Sequence, residues 1–211
     1  MDPIFDWIFS QYKDVPTHLI ILETLGVFFG YLSVWYSKQE NIWVFPTGII
    51  STGIFVYILL VYGLLGDMMI NAYYFIMSIY GWYLWSTKVN DVPIPIGRMT
   101  KKEKKWAFLL FLGTVIFVAT VYLFFEKFQE WTAYVDTVTT GLFFVGMWLM
   151  AKKKIENWIY WIIADIISVP LYFYKGLIIT GIQYAIFTLI AFYGYRAWTK
   201  NLDKNLHPLL R

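Results

Sequence analysis

Apolar segments long enough to cross a bilayer alternate with short polar breaks along this 211-residue chain. A helix of about 17–25 predominantly apolar residues spans the roughly 30 Å of hydrocarbon in a membrane. Seven segments fit this description: 19–36, 43–62, 67–86, 106–125, 134–150, 158–174 and 177–198. The pattern therefore predicts an all-α, polytopic membrane protein with seven transmembrane helices.

The amino-acid composition supports this interpretation and argues against several other functional classes. The hydrophobic fraction is 59% and the charged fraction is 15%, whereas soluble domains are about 45–50% apolar and about a quarter charged. There are no cysteines, and His18 and His207 lie at opposite ends of the chain, so we expect no thiolate or histidine metal site. The sequence has no P-loop and no nucleotide-binding glycine motif. We therefore expect no enzyme, no cofactor and no nucleic-acid partner.

Lys and Arg residues fall unevenly on the two sides of this seven-span arrangement. Three of the 17, namely Lys13, Lys127 and Lys175, lie on the side of the N-terminus, and the other fourteen lie on the side of the C-terminus. Cytoplasmic loops of membrane proteins are enriched in Lys and Arg. The distribution therefore predicts a multi-pass protein of the cell (inner) membrane with its N-terminus outside and its C-terminus in the cytoplasm.

The first three segments resemble the last three, which indicates an internal repeat. Trp35 corresponds to Trp148 at a separation of 113 positions, and the same separation relates the tryptophans that close the two units. We expect three extra residues in the loop at 152–154, which would align Glu40-Asn41 with Glu156-Asn157. Each unit has an odd number of helices, so the extra span at 106–125 is needed to give both units the same orientation. The prediction is a 3+1+3 parallel repeat with a solute site between the units, near the membrane midplane.

This arrangement defines the expected organisation of the chain. It consists of an extracytoplasmic segment 1–18, a three-helix bundle 19–86, a basic cytoplasmic loop 87–105, a linker helix 106–125, a second three-helix bundle 134–198 and a cytoplasmic tail 199–211.

Polar side chains inside the predicted spans are candidates for function, because they are costly to place in a bilayer. They are Glu23, Asn71, Asp136, Asp165 and Gln183. Asp165 is the most informative, since it lies in the middle of the apolar run W-I-I-A-D-I-I-S. A buried carboxylate needs a partner or a cationic solute. The alternative is a structural hydrogen bond to a neighbouring helix.

Two tryptophans near this carboxylate also suggest a binding role. Trp158 and Trp161 are three residues apart, so they lie on one face of a helix. Two indoles can enclose a flat heteroaromatic ring, and an indole face attracts a cation within about 6 Å. The alternative is an interfacial aromatic belt, since Trp158 begins its span.

Three stretches of the sequence resemble the PnuC family of nicotinamide riboside transporters. They are E-N-W-I-Y-W-I-I-A-D-I-I-S, I-Y-G-W-Y-L-W at 79–85 and the closing G-I-Q-Y-A-I-F-T-L-I-A-F-Y-G-Y-R-A-W, and the resemblance extends over about residues 20–198. It implies a fold like that of SWEET sugar transporters and facilitated diffusion of the riboside. It also implies trapping by a separate cytoplasmic kinase for NAD synthesis, and a homotrimer in the lipid bilayer.

The resemblance also implies a substrate site. The family's W-x-x-W pair falls on Trp158 and Trp161, and its acidic residue at the start of span five falls on Asp136. Three positions depart from the family, because Asn71 stands where the family has Gln, Asp165 where it has Asn and Gln183 where it has Glu. Asn157 and Tyr80, within the quoted stretches, complete the predicted site.

Several functions remain open from the sequence. Nicotinamide riboside and thiamine both hold a flat cationic ring that suits the tryptophans and Asp165, whereas uncharged riboflavin suits the acid less well. A sugar carrier of SWEET type and a membrane scaffold whose aromatic residues serve packing only are also compatible with the sequence. Saturable uptake of a labelled vitamin into proteoliposomes separates transport from scaffolding.

Overall fold

The computed structural model describes residues 15–62, 65–89, 92–126, 131–174 and 178–206. Within these ranges the chain forms seven helices: α1 Thr17–Lys38, α2 Val44–Val61, α3 Leu65–Ser86, α4 Lys101–Phe124, α5 Trp131–Ala151, α6 Asn157–Tyr174 and α7 Ile178–Leu206. Two-residue strands, β1 Lys88–Val89 and β2 Val92–Pro93, form a short antiparallel ladder after α3. The predicted all-α fold with seven helices is confirmed.

Four of the helices in the described part of the chain, α1, α2, α4 and α5, are long and apolar enough to cross a membrane by themselves. The other three carry the polar candidates Asn71, Asp165 and Gln183, together with many Tyr and Trp residues. These side chains lower the mean hydropathy of a helix even when it lies inside a bundle. For α3, α6 and α7, membrane crossing stays a prediction.

Contacts between helices place six of the seven helices of the described residues in two groups of three. In the first bundle, as we call α1–α3, α2 packs against both α1 and α3. In the second bundle, α5–α7, α6 packs against both α5 and α7. The two bundles meet where α3 contacts α5 and where α1 contacts α7, and α4 packs against α5.

Four of the six pairs of corresponding helix ends in the two bundles keep the same separation. The corresponding ends are Lys38 and Ala151, Val44 and Asn157, Val61 and Tyr174, and Leu65 and Ile178, and the members of each pair are 113 positions apart. The expected three-residue insertion at 152–154 is therefore wrong. A shared Glu-Asn dipeptide suggested it, but the loops between the helices have the same length in both bundles. Glu40 consequently corresponds to Lys153, and both have positive φ angles, of 57° and 52°.

The basic run Lys101–Lys105 is the start of a helix, not part of a loop 87–105 as predicted. Thr100 caps α4, since its side-chain oxygen accepts the backbone N–H of Glu103 at 3.2 Å and the Glu103 carboxylate accepts the backbone N–H of Thr100 at 2.9 Å. This reciprocal capping box satisfies donors that a helix start would otherwise leave free. At the other end of the protein, the predicted tail 199–211 also begins as helix, because α7 continues to Leu206.

Segments that we expected on the cytoplasmic side lie together at one end of the protein. The backbone N–H of Gly97 donates to the Lys153 carbonyl and that of Ile155 donates to the Gly97 carbonyl, both at 3.0 Å. Glu103 forms ion pairs of 3.2 Å with Lys152 and with Lys154. We call the end of the protein that contains Gly97, Glu103 and the residues 152–155 the basic end. Lys13, Lys127 and Lys175, predicted on the opposite side, lie outside the described residues.

Two indole hydrogen bonds join the bundles at the basic end. Trp85 at the end of α3 donates from Nε1 to the Ala151 carbonyl at the end of α5, at 3.1 Å. Trp198 on α7 donates to the Ser37 carbonyl near the end of α1, at 3.0 Å. Each bundle thus uses its last helix to bind the end of the first helix of the other bundle.

Candidate functional site

A cavity of about 290 Å³ lies between the two bundles. Among the described residues, its walls come from α1, α2 and α3 on one side and from α5, α6 and α7 on the other, with no contribution from α4. The volume is close to the lower end, about 300 Å³, of the range typical for small-molecule sites. A cavity between two helix bundles is also where transporters built from repeats bind their solutes.

Four of the eight residues predicted for the substrate site line this cavity. They are Asn71 on α3, Trp161 and Asp165 on α6, and Gln183 on α7. The fold therefore brings together one indole, one carboxylate and two amides from three different helices. An indole face can stack on a ring, and the amides and carboxylate can bind hydroxyl groups or a cation.

The other four predicted residues lie outside the cavity lining. Asn157 is buried at the start of α6, where its side-chain nitrogen donates to the Lys154 carbonyl at 2.6 Å. Tyr80 is exposed on α3, and Asp136 is partly buried on α5. Trp158 is fully buried behind the wall, in contact with Trp198.

The two tryptophans of α6 form an edge-to-face pair instead of the open clamp that we expected. Their rings are inclined at 87° with centroids 5.3 Å apart, so each indole contacts the other. Spacing along the helix places both rings on one side, but it does not make their planes parallel. In this structure a solute ring has access to Trp161 and not to a space between the two indoles.

Trp161 reaches the cavity because α5 carries a glycine opposite it. A Cβ atom added at Gly146 would collide with the indole of Trp161, so only glycine lets the ring lie across α5. The sequence contains this glycine in F-F-V-G-M-W, but a single glycine in an apolar helix does not identify its partner. Sequence reasoning therefore missed Gly146.

Asp165 is 3% exposed and lies one helical turn from Trp161. In the described part of the chain, no Lys or Arg lies within ion-pairing distance of it. Tyr74 and Tyr184 line the cavity with it. A carboxylate that is ionised in such a place needs a compensating positive charge.

Hydroxyl groups and glycines make up much of the wall on the side of the first bundle, and sequence reasoning did not select them. They are Gly26, Gly30, Ser33, Ser37, Gly48, Ser51, Thr52 and Ser78. In the sequence they form small residues at spacings of three and four, which is the pattern of close helix packing. That interpretation is partly correct, since Ser51 donates to the Gly26 carbonyl at 2.8 Å and so joins α2 to α1.

Corresponding positions of the two bundles face the cavity together. The pairs that line it, each 113 positions apart, include Gly30 and Phe143, Val34 and Met147, Gly48 and Trp161, Thr52 and Asp165, Asn71 and Tyr184, Tyr74 and Phe187, and Ser78 and Ala191. Gly30 and Gly48 are matched by the aromatic residues Phe143 and Trp161, whereas Ser78 is matched by the smaller Ala191. Positions 113 apart therefore face the same cavity from the two bundles, but the two halves of its wall differ chemically.

The chain resembles known vitamin transporters over nearly its whole length. The sequence model of the family described as nicotinamide mononucleotide transporter matches residues 20–200. The nicotinamide riboside transporter PnuC of Escherichia coli K12 is 28% identical over 205 residues, covering 84% of each chain. The riboflavin/roseoflavin transporter RibM of Streptomyces davaonensis is 23% identical over 202 residues, covering 92% of this chain and 91% of its own.

A solved structure shares the fold. The crystal structure of the vitamin B3 transporter PnuC aligns with a TM-score of 0.62 at 21% identity. The alignment covers 95% of this chain and 88% of that one, so the helical architecture is common to both over almost all of their length.

Proposed function

This chain belongs to the nicotinamide mononucleotide transporter family, and from that premise we propose that it carries nicotinamide riboside across the membrane by facilitated diffusion. It is a multi-pass membrane transporter and not an enzyme. The observation that carries the proposal is the position of Trp161 and Asp165, which lie one turn apart on the wall of the cavity between the bundles. Together they offer an aromatic face and a negative charge to one solute.

The chemistry of this pair suits the nicotinamide ring of the riboside. Residues four apart on a helix are neighbours on its surface, so a ring stacked on Trp161 comes close to the Asp165 carboxylate. The ring is flat and positively charged, and a cation over an indole in a desolvated site gains about 2 kcal/mol or more. Asn71 and Gln183 also line the cavity, and their side-chain amides are of a type that binds hydroxyl groups.

We also propose that the two bundles form a 3+1+3 parallel repeat like that of SWEET transporters. The separation of 113 positions between four pairs of helix ends supports this arrangement, as do the reciprocal indole hydrogen bonds of Trp85 and Trp198. In this arrangement α4 links bundle 19–86 to bundle 134–198 and gives both the same orientation. The protein works as a homotrimer in the inner membrane, with its N-terminus outside.

We propose that the riboside moves down its own concentration gradient. Phosphorylation of the riboside by a separate cytoplasmic kinase traps it and supplies NAD synthesis. Proteoliposomes that contain the purified protein should therefore take up labelled nicotinamide riboside without ATP and without an ion gradient. Uptake that requires a proton or sodium gradient would contradict facilitated diffusion.

Binding measurements on Trp161→Ala test the site itself. Loss of about 2 kcal/mol raises the dissociation constant of the riboside by roughly thirtyfold. Trp161→Phe retains part of the affinity because a ring face remains. Trp82→Ala is the matched control, since Trp82 lies on α3, is 44% exposed and does not line the cavity. If Trp161→Ala binds the riboside as tightly as the wild type does, the stacking site is wrong.

Riboflavin is the second candidate, because RibM is among the relatives. Its ring system is uncharged and does not need Asp165. Asp165→Asn should therefore weaken binding of nicotinamide riboside strongly and leave riboflavin binding unchanged. Competition by thiamine, which also holds a cationic ring, and by a sugar completes the comparison. A protein that takes up none of these solutes would be a scaffold instead of a transporter.

A further inference from the structure

Four exposed lysines lie on one side of α4 at its start, and we call them the lysine face. They are Lys101, Lys102, Lys104 and Lys105. With 3.6 residues per turn, their positions fall within an arc of about 160° around the helix axis. The centre of this arc is about 140° from that of the buried residues of α4, which are Ala107, Thr114 and Val118. The lysine face therefore points away from the rest of the protein.

The lysine face continues along the helix into exposed apolar residues. Phe108 and Leu112 fall within the same arc and are 64% and 42% exposed. Because α4 is long and apolar enough to cross a membrane, these side chains contact the acyl chains of the lipid. Phe108 follows Lys105 by about 4.5 Å along the axis, so the lysines lie at the level of the lipid headgroups. Trp106, 54% exposed, lies at the same level, where tryptophan is enriched in membrane proteins.

No carboxylate pairs with the lysine face among the described residues. The nearest one along the chain, Glu103, accepts the backbone N–H of Thr100 at 2.9 Å and pairs with Lys152 and Lys154 at 3.2 Å each. The neighbouring lysines of the loop after α5, residues 152–154, are therefore all paired with a carboxylate, since Lys153 pairs with Glu40. The four lysines of α4 need an anion from outside the described part of the chain.

The position of the lysine face is unfavourable for the helix itself. Positive charges at the start of a helix oppose its dipole. Lys101 is also three and four residues from Lys104 and Lys105, and like charges at these spacings repel each other. The preference for Lys on the cytoplasmic side is met anywhere on that side and does not require one face of the first turns of a helix. A phosphate anion at this face offsets both costs.

We infer that the lysine face binds the phosphate groups of anionic phospholipids in the membrane leaflet at the basic end. Glu103 joins the same helix start to the loop after α5, so the bound lipid holds the linker helix against the second bundle. An acidic soluble partner fits less well, because the face runs directly into Phe108 and Leu112, which such a partner does not reach inside a bilayer. The inference does not depend on the solute, since no described residue of α4 lines the cavity.

Thermal unfolding of the purified protein in an uncharged detergent tests the inference. Added phosphatidylglycerol should raise the unfolding midpoint, whereas equal amounts of zwitterionic phosphatidylcholine or of soluble glycerol 3-phosphate should not. In Lys101→Gln/Lys105→Gln, the phosphatidylglycerol concentration that gives half of this rise should increase by about tenfold or more, because each lysine near an anionic surface contributes about fivefold in affinity. Glutamine has a helix propensity like that of lysine, and the capping box of Thr100 and Glu103 is kept.

A matched control exists on α7, where Arg196 and Lys200 are also exposed and four residues apart. Arg196→Gln/Lys200→Gln removes the same charge and should leave the response to phosphatidylglycerol unchanged. Lys101→Arg/Lys105→Arg should keep the response, and Lys102→Gln/Lys104→Gln should weaken it as the first pair does.

Three results would overturn the inference. If phosphatidylglycerol stabilises the wild type no more than phosphatidylcholine does, the lysine face does not bind lipid and is open to a soluble partner. If glycerol 3-phosphate is as effective as the lipid, the face binds a free anion. If both glutamine pairs, on α4 and on α7, weaken the response equally, only the overall charge of the protein matters.

Discussion

Glu40 and Lys153 occupy corresponding positions in the two bundles and form an ion pair with each other, with 2.9 Å between Oε1 and Nζ. Both follow the C-terminal ends of the first helices of their bundles, and both have the left-handed backbone conformation. The Lys153 side chain is 7% exposed, whereas that of Glu40 is 25% exposed. The Lys153 ammonium also lies 4.5 Å from the centroid of the Trp85 ring. The ion pair joins the two bundles at the basic end.

The unequal burial of this pair predicts unequal effects of removing either charge. Glu40→Gln leaves the buried ammonium of Lys153 without its counter-ion and should lower the free energy of unfolding by about 1–3 kcal/mol. Lys153→Met should cost less, because the Glu40 carboxylate is partly solvated. Thermal unfolding in detergent measures both. The double variant should be more stable than the sum of the single losses predicts, and strict additivity would show that the pair is not coupled.

The two indole hydrogen bonds that join the bundles should contribute unequally to stability. Trp85→Phe and Trp198→Phe each remove one buried donor, and the expected cost of a lost hydrogen bond is about 1 kcal/mol. The Ser37 carbonyl that Trp198 binds also accepts the backbone N–H of Glu40 at 3.1 Å, so it keeps a partner. Trp85→Phe should therefore destabilise the protein more than Trp198→Phe. The same unfolding assay measures the difference, and the reverse order would contradict this account.

The number and order of the helices could be predicted from the sequence, because a bilayer requires long apolar segments and the breaks between them are short. The tryptophans 113 positions apart also predicted the correspondence between the two bundles that four pairs of helix ends show. The predicted three-residue insertion was wrong because it was chosen to align two Glu-Asn dipeptides, whereas the helix bounds give the two loops the same length. Only the structure shows that Lys153, not Glu156, has the same backbone conformation and place as Glu40.

Four of the eight predicted residues line the cavity, and helix geometry explains why Trp158 is not among them. On a helix with 3.6 residues per turn, Asp165 lies about 40° from Trp161 around the helix axis, and Trp158 lies about 60° from Trp161 in the same direction. This spacing says which residues share a face, but not which neighbour covers each one. Trp158 is covered by α7, where an added Cβ at Gly194 would lie 2.5 Å from its ring. The small residues of the cavity wall, such as Ser33, Gly48 and Ser78, were missed because they come from three helices and their spacing is that of close helix packing.

Gly146 gives a prediction about how the aromatic half of the site is built. Gly146→Ala should displace the Trp161 indole, because the added Cβ would collide with the ring. Overpacking of this kind costs about 1–3 kcal/mol of stability, and the displaced ring should bind riboside more weakly. Gly113→Ala is the control, since an added Cβ there meets no atom within 4 Å. Unfolding and binding measured on both variants test this, and unchanged riboside binding in Gly146→Ala would mean that the position of Trp161 is not set by the glycine.

The absence of cysteines allows the orientation of the protein to be tested with single introduced thiols. The basic end gathers Glu40, the start of α4 and the loop after α5, so these segments must lie on one side of the membrane. The excess of Lys and Arg predicts that this side is the cytoplasm. A cysteine at exposed Lys101 should therefore be protected from a membrane-impermeant maleimide in intact cells and react only after the cells are opened. A cysteine at Phe125, which is exposed at the opposite end of α4, should react in intact cells. Labelling of the Lys101→Cys variant in intact cells, with protection of Phe125→Cys, would reverse the proposed orientation.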